Sequence, residues 1–321
     1  GARIASVVHL AAYFDFSGAD SPLYQQVNVE GTRRLLAGLQ RFEVGQFVYS
    51  GTMLVHAPTE PGRRIDEDAP VGPKWAYPRS KAAAEAVIRS EAGDIPFVLL
   101  HIAGMYDELT CVPTLAHQIA RIYRRDFESY LYAGDPRAGQ AMVHRDDLID
   151  AFKRVIDRRR ELAAGTVLLI GEPDAMGYDE LQDTLGRLIH GEAEWTTIPI
   201  PKPVAAAGAF AQNKLETLVP DALDRGEKPF VRPFMVAMAD DHYALDIGRA
   251  PKLLGWEPRY RIQDVLPKLT RSLLDDPLRW HQANGVPVAE WMEDAAGGGQ
   301  NGEGLGIGHG RHERAADRRH L

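Results

Sequence analysis

What most constrains this chain is the alternation, over its first half, of short apolar runs with longer stretches of helical spacing. Ala5-Ser6-Val7-Val8-His9-Leu10, Gln46-Phe47-Val48-Tyr49-Ser50, Phe97-Val98-Leu99-Leu100 and Thr166-Val167-Leu168-Leu169-Ile170 are runs of strand length. Runs that are apolar throughout suit strands buried on both faces, as in a parallel sheet covered by helices. Helical spacing fills the gaps between them: Pro22 to about Leu39, Tyr77 to Glu91, Val112 to Arg124, and a segment from Asp146-Asp147 to about Arg160. The two aspartates are expected to cap that last helix. Glu128–Tyr132 reads as extended, and Gly31, inside the first helix, suggests close packing there. The alternation predicts an α/β fold with a doubly wound, Rossmann-like parallel sheet.

Beyond Gly171 the alternation weakens. Helices near Tyr178–His190, Pro203–Leu218, Gly248–Leu254 and Ile262–Leu274, separated by Pro-rich loops, predict a smaller second lobe. The expected division is 1–170 for the sheet domain, 171–292 for the lobe with a contribution from 107–142, and a Gly/Arg/His-rich disordered tail over 293–321. Gly304-Leu305-Gly306-Ile307-Gly308 in that tail has no strand before it and no helix after it, so it does not read as a phosphate loop.

Open α/β sheets bind ligands beyond the carboxyl ends of their strands. Ala11-Ala12 follow the first run, and their small side chains let a flat ligand approach the backbone, although plain tight packing explains them equally well. His9 within that strand reads as a satisfied core histidine. Thr52 lies just past the second run, and the following helix carries Tyr77-Pro78-Arg79-Ser80-Lys81. Positions i and i+4 share a helix face, so a phenol and an ammonium point the same way. A free phenol has a pKa near ~10, and a neighbouring ammonium favours its ionised form. With the Thr52 hydroxyl beside it, the phenol becomes a proton-transfer device for carbonyl–alcohol chemistry. Alone, the Tyr-x-x-x-Lys spacing is weak and also describes a solvated helix face. Its place behind a strand end raises it.

The remaining composition excludes more than it proposes. A net charge of −8 with no basic patch argues against nucleic acid. The single Cys111 rules out a disulfide framework, suits a reducing cytoplasm, and reads as core packing. No apolar run approaches membrane-spanning length, and Val204–Ala211 is the nearest. Asp66-Glu67-Asp68 reads as a solvated loop rather than a metal site, and no metal is expected.

Taken in order, these pieces resemble the extended short-chain dehydrogenase/reductase family, the NAD-dependent epimerase/dehydratase group. The matching stretches are Val8-His9-Leu10-Ala11-Ala12, Asn28-Val29-Glu30-Gly31-Thr32, Tyr49-Ser50-Gly51-Thr52 and Tyr77-x-x-x-Lys81. Val143-His144-Arg145-Asp146-Asp147-Leu148 follows, and then Asp246-Ile247-Gly248-Arg249-Ala250 with Leu253-Leu254-Gly255-Trp256-x-Pro258. The resemblance spans about residues 5 to 275. It implies an NAD or NADP cofactor lined by Leu10, Ala11, Ala12 and Tyr13 and touched by Asn28 and Ala103. Tyr77 would be the catalytic acid/base, Thr52 would bridge it to the substrate, and Lys81 would bind the nicotinamide ribose and lower the Tyr77 pKa. The substrate side would include Thr52, Gly104 and Gln140. The helix bearing Tyr77 and the helix before it would form a homodimer through a four-helix bundle.

The departures carry expectations of their own. The family opens on a strand, a glycine-rich turn and a helix that hold the pyrophosphate. This chain opens on Gly1, almost directly in a strand, and is expected to be a fragment with weakened cofactor affinity. Gly104 stands where sugar-nucleotide members carry Asn, Gln140 where they carry Arg, and His101-Ile102 where they carry Arg-Pro. Losing an amide and a guanidinium weakens a diphosphate ligand, so a less polar alcohol or ketone stands beside a sugar nucleotide as substrate. The expected function is an NAD(P)-dependent oxidoreductase or epimerase. The alternative is a non-catalytic cofactor-sensing or structural relative, or an inactive fragment.

Overall fold

In the computed structural model, residues 3–15, 19–207, 233–289 and 291–293 are described. The tail from 294 on, with its Gly304–Gly308 run, and most of the expected Pro203–Leu218 helix lie outside them. Four parallel strands form the central sheet: β1 (Val7–His9), β2 (Phe47–Thr52), β3 (Phe97–Ile102) and β6 (Thr166–Ile170), in the order β6-β3-β2-β1. The register sets Val8 and Val98 beside Val48, and Ile102 beside Thr52. Helix α1 (Glu30–Leu39), entered through a π-wound turn at Tyr24–Val29, and α2 (Ala76–Glu91) cover one face. Their Leu36, Leu39, Ala84, Val87 and Ile88 pack with Phe47, Tyr49 and Leu99. Val48, Val98 and Leu100, one residue out of step, point to the opposite core. The period-two alternation of a strand thus splits each apolar run between two cores.

That second core takes in more than the first half of the chain. Tyr243, Leu245, Ala250, Leu254 and Trp256 pack into it with the sheet, so the segment around α6 (Arg249–Leu254) returns to the sheet instead of staying in the second lobe. A third cluster joins Tyr106 with α3 (Pro113–Arg124), α5 (Tyr178–His190), α7 (Ile262–Asp275) and Trp280 of α8 (Pro277–Asn284). A parallel pair, β4 (Gly104–Tyr106) and β5 (Met142–His144), connects the two regions. Residues through Pro287 form one compact unit.

Several local expectations are corrected. Residues Phe127–Tyr130 wind as a 3-10 turn, and only Leu131–Tyr132 are extended. The helix after β5, α4 (Arg145–Asp157), ends short of Arg160, and its cap is His144, whose Nδ1 accepts the Asp146 N–H at 3.2 Å. Asp147 is instead fully buried and accepts the backbone N–H groups of Arg259 (2.8 Å) and Tyr260 (2.9 Å) and the Arg259 Nε–H (3.1 Å). Its function is tertiary, which a helix-start pattern does not reveal. Glu67 is not solvated either: its carboxylate accepts the Leu169 N–H of β6 at 3.1 Å, away from water. Gly31 has no close neighbour, with the nearest atom 3.7 Å from where a Cβ would stand, so packing does not require it. His9 is satisfied as expected, its Nε2 lying 2.9 Å from Thr32 Oγ1.

Candidate functional site

The carboxyl ends of β2 and β3 open onto a cavity of about 1020 Å³. Helix α2 delivers Tyr77 to it from its first turn, because the extended Trp75 leaves the helix free to start at Ala76 just beneath the strand ends. Thr52, Tyr77, Ala103, Gly104 and Gln140 all line this cavity, although they come from separate stretches of chain. Thr52 Oγ1 accepts the Leu54 N–H at 3.3 Å, capping a 3-10 turn, and among the described residues no acceptor takes its own proton. The Phe14 and Tyr77 rings meet edge to face with centroids 4.8 Å apart, and the Trp75 ring lies 5.6 Å from Tyr77. This aromatic collar was not singled out from sequence.

Lys81 sits one turn behind, buried, with its ammonium 4.2 Å from the centre of the Tyr49 ring. Burial lowers its pKa to about 8, against a raising contribution from Glu85. Tyr77 does not respond as the sequence suggested. Burial pushes its phenol up to about 12, Tyr24 adds to the rise, and Lys81 is not among the causes. The helical repeat does bring phenol and ammonium to one side, but the ammonium faces the sheet and the phenol faces the cavity.

Asn28 locks the loop after β1. Its Oδ1 accepts the Tyr13 N–H at 2.6 Å, and its Nδ2 donates to Tyr13 O (3.0 Å) and to Ser80 Oγ (2.8 Å) of α2. Leu10, Ala11 and Ala12 before it are exposed and lie outside the cavity lining, forming a shelf at the carboxyl end of β1. The arrangement fits a nicotinamide ribose. Among the described residues no carboxylate lies within ion-pairing distance of Lys81, and a buried ammonium in that position is a donor suited to hydroxyl acceptors. Among the described residues no cluster of side chains could hold a metal ion, and no helix is long and apolar enough to cross a membrane. The Cys111 thiol is half-buried against Asn284 Oδ1 at 3.8 Å, and burial pushes its pKa up.

Burying Lys81 predicts a measurable linkage. Its folded pKa of about 8 lies below the ordinary 10.5, so the folded state holds fewer protons than the unfolded state between those values. Stability should therefore rise with pH across that window, and the penalty is complete below it. Replacing Lys81 with Met removes the term. Denaturant unfolding should show wild type gaining ~2–3 kcal/mol on the variant between pH 7 and 10.5. A constant difference would contradict the burial of the ammonium.

The cavity walls away from Tyr77 are apolar. Six of the seven methionines of the chain line them (Met53, Met105, Met142, Met176, Met235 and Met238). Four lining residues among those described carry charge: Lys74, Arg121, Glu128 and Asp241. Lys74 is ion-paired to the buried Asp241. A Cβ on Gly104 would stand 2.6 Å from Met142 Sδ, so any larger residue there would displace the Met142 side chain. The methionine lining leaves no local signature in the sequence because those residues are scattered over nearly two hundred positions.

A family model described as the NAD dependent epimerase/dehydratase family matches residues 2–171. The chain is 25% identical over 287 residues to the decarboxylating sterol-4-alpha-carboxylate 3-dehydrogenase of Saccharomyces cerevisiae, covering 85% of this chain and 77% of that one. It is 28% identical over 306 residues to the human 3 beta-hydroxysteroid dehydrogenase type 7, covering 86% and 76%. Among solved structures, the dTDP-glucose 4,6-dehydratase of Streptomyces venezuelae, with NAD and TYD bound, superposes with a TM-score of 0.63 at 20% identity, over 87% of this chain and 76% of that one. That likeness is one of fold. With the matched region exceeding half of the sequence and the fold agreeing, this chain belongs to the NAD dependent epimerase/dehydratase family of enzymes.

Proposed function

We propose that this enzyme oxidises or reduces a secondary alcohol or ketone on a bulky apolar skeleton of sterol type, with Tyr77 as acid/base, Thr52 as the bridge to the substrate oxygen and Lys81 as the ribose anchor. The observation that carries the reading is the methionine-lined cavity opening on Tyr77. Its volume lies at the top of the ~300–1,000 Å³ range of small-molecule pockets. Thioether side chains adapt to a rigid apolar body. A nucleotide diphosphate would call for several cations, and Lys74 is already engaged by Asp241. The two sterol- and steroid-named relatives support the same substrate class.

NAD, when bound, supplies the hydride chemistry at the substrate carbon. The chain holds the proton. With its pKa near 12, Tyr77 is protonated at neutral pH and is ready to donate to a carbonyl oxygen. In the oxidative direction it must first lose that proton, so oxidation should quicken as pH rises. Thr52 keeps the substrate oxygen beside the phenol, and Phe14 and Trp75 shield the reacting centre from water.

The test is equilibrium binding and NAD-linked turnover with 3-hydroxysterols set against UDP- and dTDP-sugars. Saturable binding of a sterol with no binding of the sugar nucleotides is expected. The reverse preference would reject the apolar substrate. We further propose a homodimer through α1 and α2, because the outer face of α2 exposes the small side chains of Ala83, Ala86 and Ser90, which allow helices close approach. Sedimentation as a monomer at micromolar concentration would remove it.

A further inference from the structure

A buried chain of hydrogen bonds runs behind the site, with no part in the chemistry described above. His56 Nδ1 lies 3.0 Å from Ala69 O, His56 Nε2 lies 2.8 Å from His101 Nδ1, and His101 Nε2 lies 3.2 Å from Glu85 Oε2 and 3.1 Å from Glu85 Oε1. His56, His101 and Glu85 are each at most 2% exposed. Glu85 is the fourth residue after Lys81, as Lys81 is the fourth after Tyr77, so α2 stacks phenol, ammonium and carboxylate along one side.

Proton counting constrains the state of this chain. A carbonyl oxygen only accepts, so His56 Nδ1 carries a hydrogen. His56 Nε2 and His101 Nδ1 share a second, and the contact of His101 Nε2 with the carboxyl group requires a third. Two neutral imidazoles supply two. The cluster therefore holds one proton more than two neutral rings and a carboxylate would. Arg89 favours the carboxylate form of Glu85, because its Nη1 donates to Oε2 at 3.2 Å and a neighbouring cation stabilises the ionised oxygen. In that form the carboxyl group accepts from both neighbours, and the extra proton is assigned to His101.

We infer that Glu85 is a positioning residue, held as a carboxylate by a His101 imidazolium that His56 and Ala69 O orient, and that its charge keeps the Lys81 ammonium protonated. The groups facing this cluster are few. Tyr77, Lys81 and Arg89 share its helix, Tyr49 faces it from β2, His9 faces Lys81 from β1, and Asp66 faces His56 from the loop. Lys81 experiences desolvation as its largest perturbation and Glu85 as the opposing one. Space is tight around the carboxylate as well: a Cβ on Gly51 would stand 2.9 Å from Glu85 Oε1.

The inference rests on the Tyr77–Lys81 reading for its functional meaning, but its test needs neither substrate nor cofactor. Ring-nitrogen NMR of the whole wild-type chain should show His101 doubly protonated at pH 7, with His56 singly protonated. Side-chain NMR of Lys81 should show its titration near pH 8 in wild type, lowered by about one unit or more in Glu85→Gln, with partial rescue in Glu85→Asp. A neutral His101 in wild type would overturn the proton count even if the variants failed to fold. An unmoved Lys81 titration in folded Glu85→Gln would overturn the positioning assignment. Turnover of Tyr77→Phe tests the acid/base reading separately, so the two failures are distinguishable.

Discussion

Tyr77→Phe should lower kcat by about 10²–10⁴-fold, the usual contribution of a general acid/base, while KM and thermal stability change little. The ring contacts that fix its position, the edge-to-face pair with Phe14 at 4.8 Å and Trp75 at 5.6 Å, need only the aromatic body and survive the substitution. What is lost is the phenolic hydroxyl, the proposed proton carrier, which faces the cavity at the strand ends. Thr52 cannot replace it, since an alkyl hydroxyl is far less acidic than a phenol and this one is also occupied in accepting from Leu54. Steady-state kinetics on the proposed sterol-type substrate, with a thermal melt of each protein, is the measurement. Retention of about a tenth or more of wild-type turnover by a folded variant would remove Tyr77 from the acid/base role.

Asp147→Ala should be strongly destabilising, costing about 3–5 kcal/mol. The carboxylate is fully buried and accepts two backbone N–H groups and one guanidinium N–H from Arg259 and Tyr260. Removing it strands those two backbone donors. Trp256 Nε1 bonds to the Asp147 backbone oxygen at 3.0 Å, and that contact would persist. Just downstream, Glu172 accepts the Ile262 N–H at 3.0 Å and the Tyr106 hydroxyl at 2.8 Å. Two buried carboxylates therefore fasten the entry to α7, whose first residue, Ile262, lines the cavity. For a domain with ~5–15 kcal/mol of net stability, the loss is a large fraction, and urea unfolding at pH 7 will read it. Asp147→Asn keeps one acceptor oxygen and should lose less. A loss under ~1 kcal/mol for the Ala variant would mean that the loop is held by its apolar contacts alone.

The stability linkage of Lys81 and the proposed charge of Glu85 bear on why an ammonium occupies this place at all. A buried ammonium is unfavourable on its own, and a hydrophobic residue would fit the same space at less cost. The proposed contact with the cofactor gives a reason for an ammonium over the Tyr49 ring that packing alone does not.

Local pattern was enough to specify the sheet. Four apolar runs became β1, β2, β3 and β6, and the helices at Tyr77–Glu91 and Tyr178–His190 fell within a residue of their expected bounds. That Tyr77 and Lys81 share a helix side was equally legible, because helical periodicity is a local property, but the electrostatic effect of one on the other was not, because burial decides it. Other features came into being only when distant segments packed together. Asp147 reads as a helix cap until residues more than a hundred positions away present their N–H groups to it. Glu67 reads as solvated until the edge of β6 arrives. His56 and His101 are forty-five residues apart and meet only because β2 and β3 pair in register. The methionine lining is assembled from separate elements in the same way. Local pattern encodes which face of an element is apolar, whereas buried polar partners and cavity walls are chosen by whatever else packs against that face.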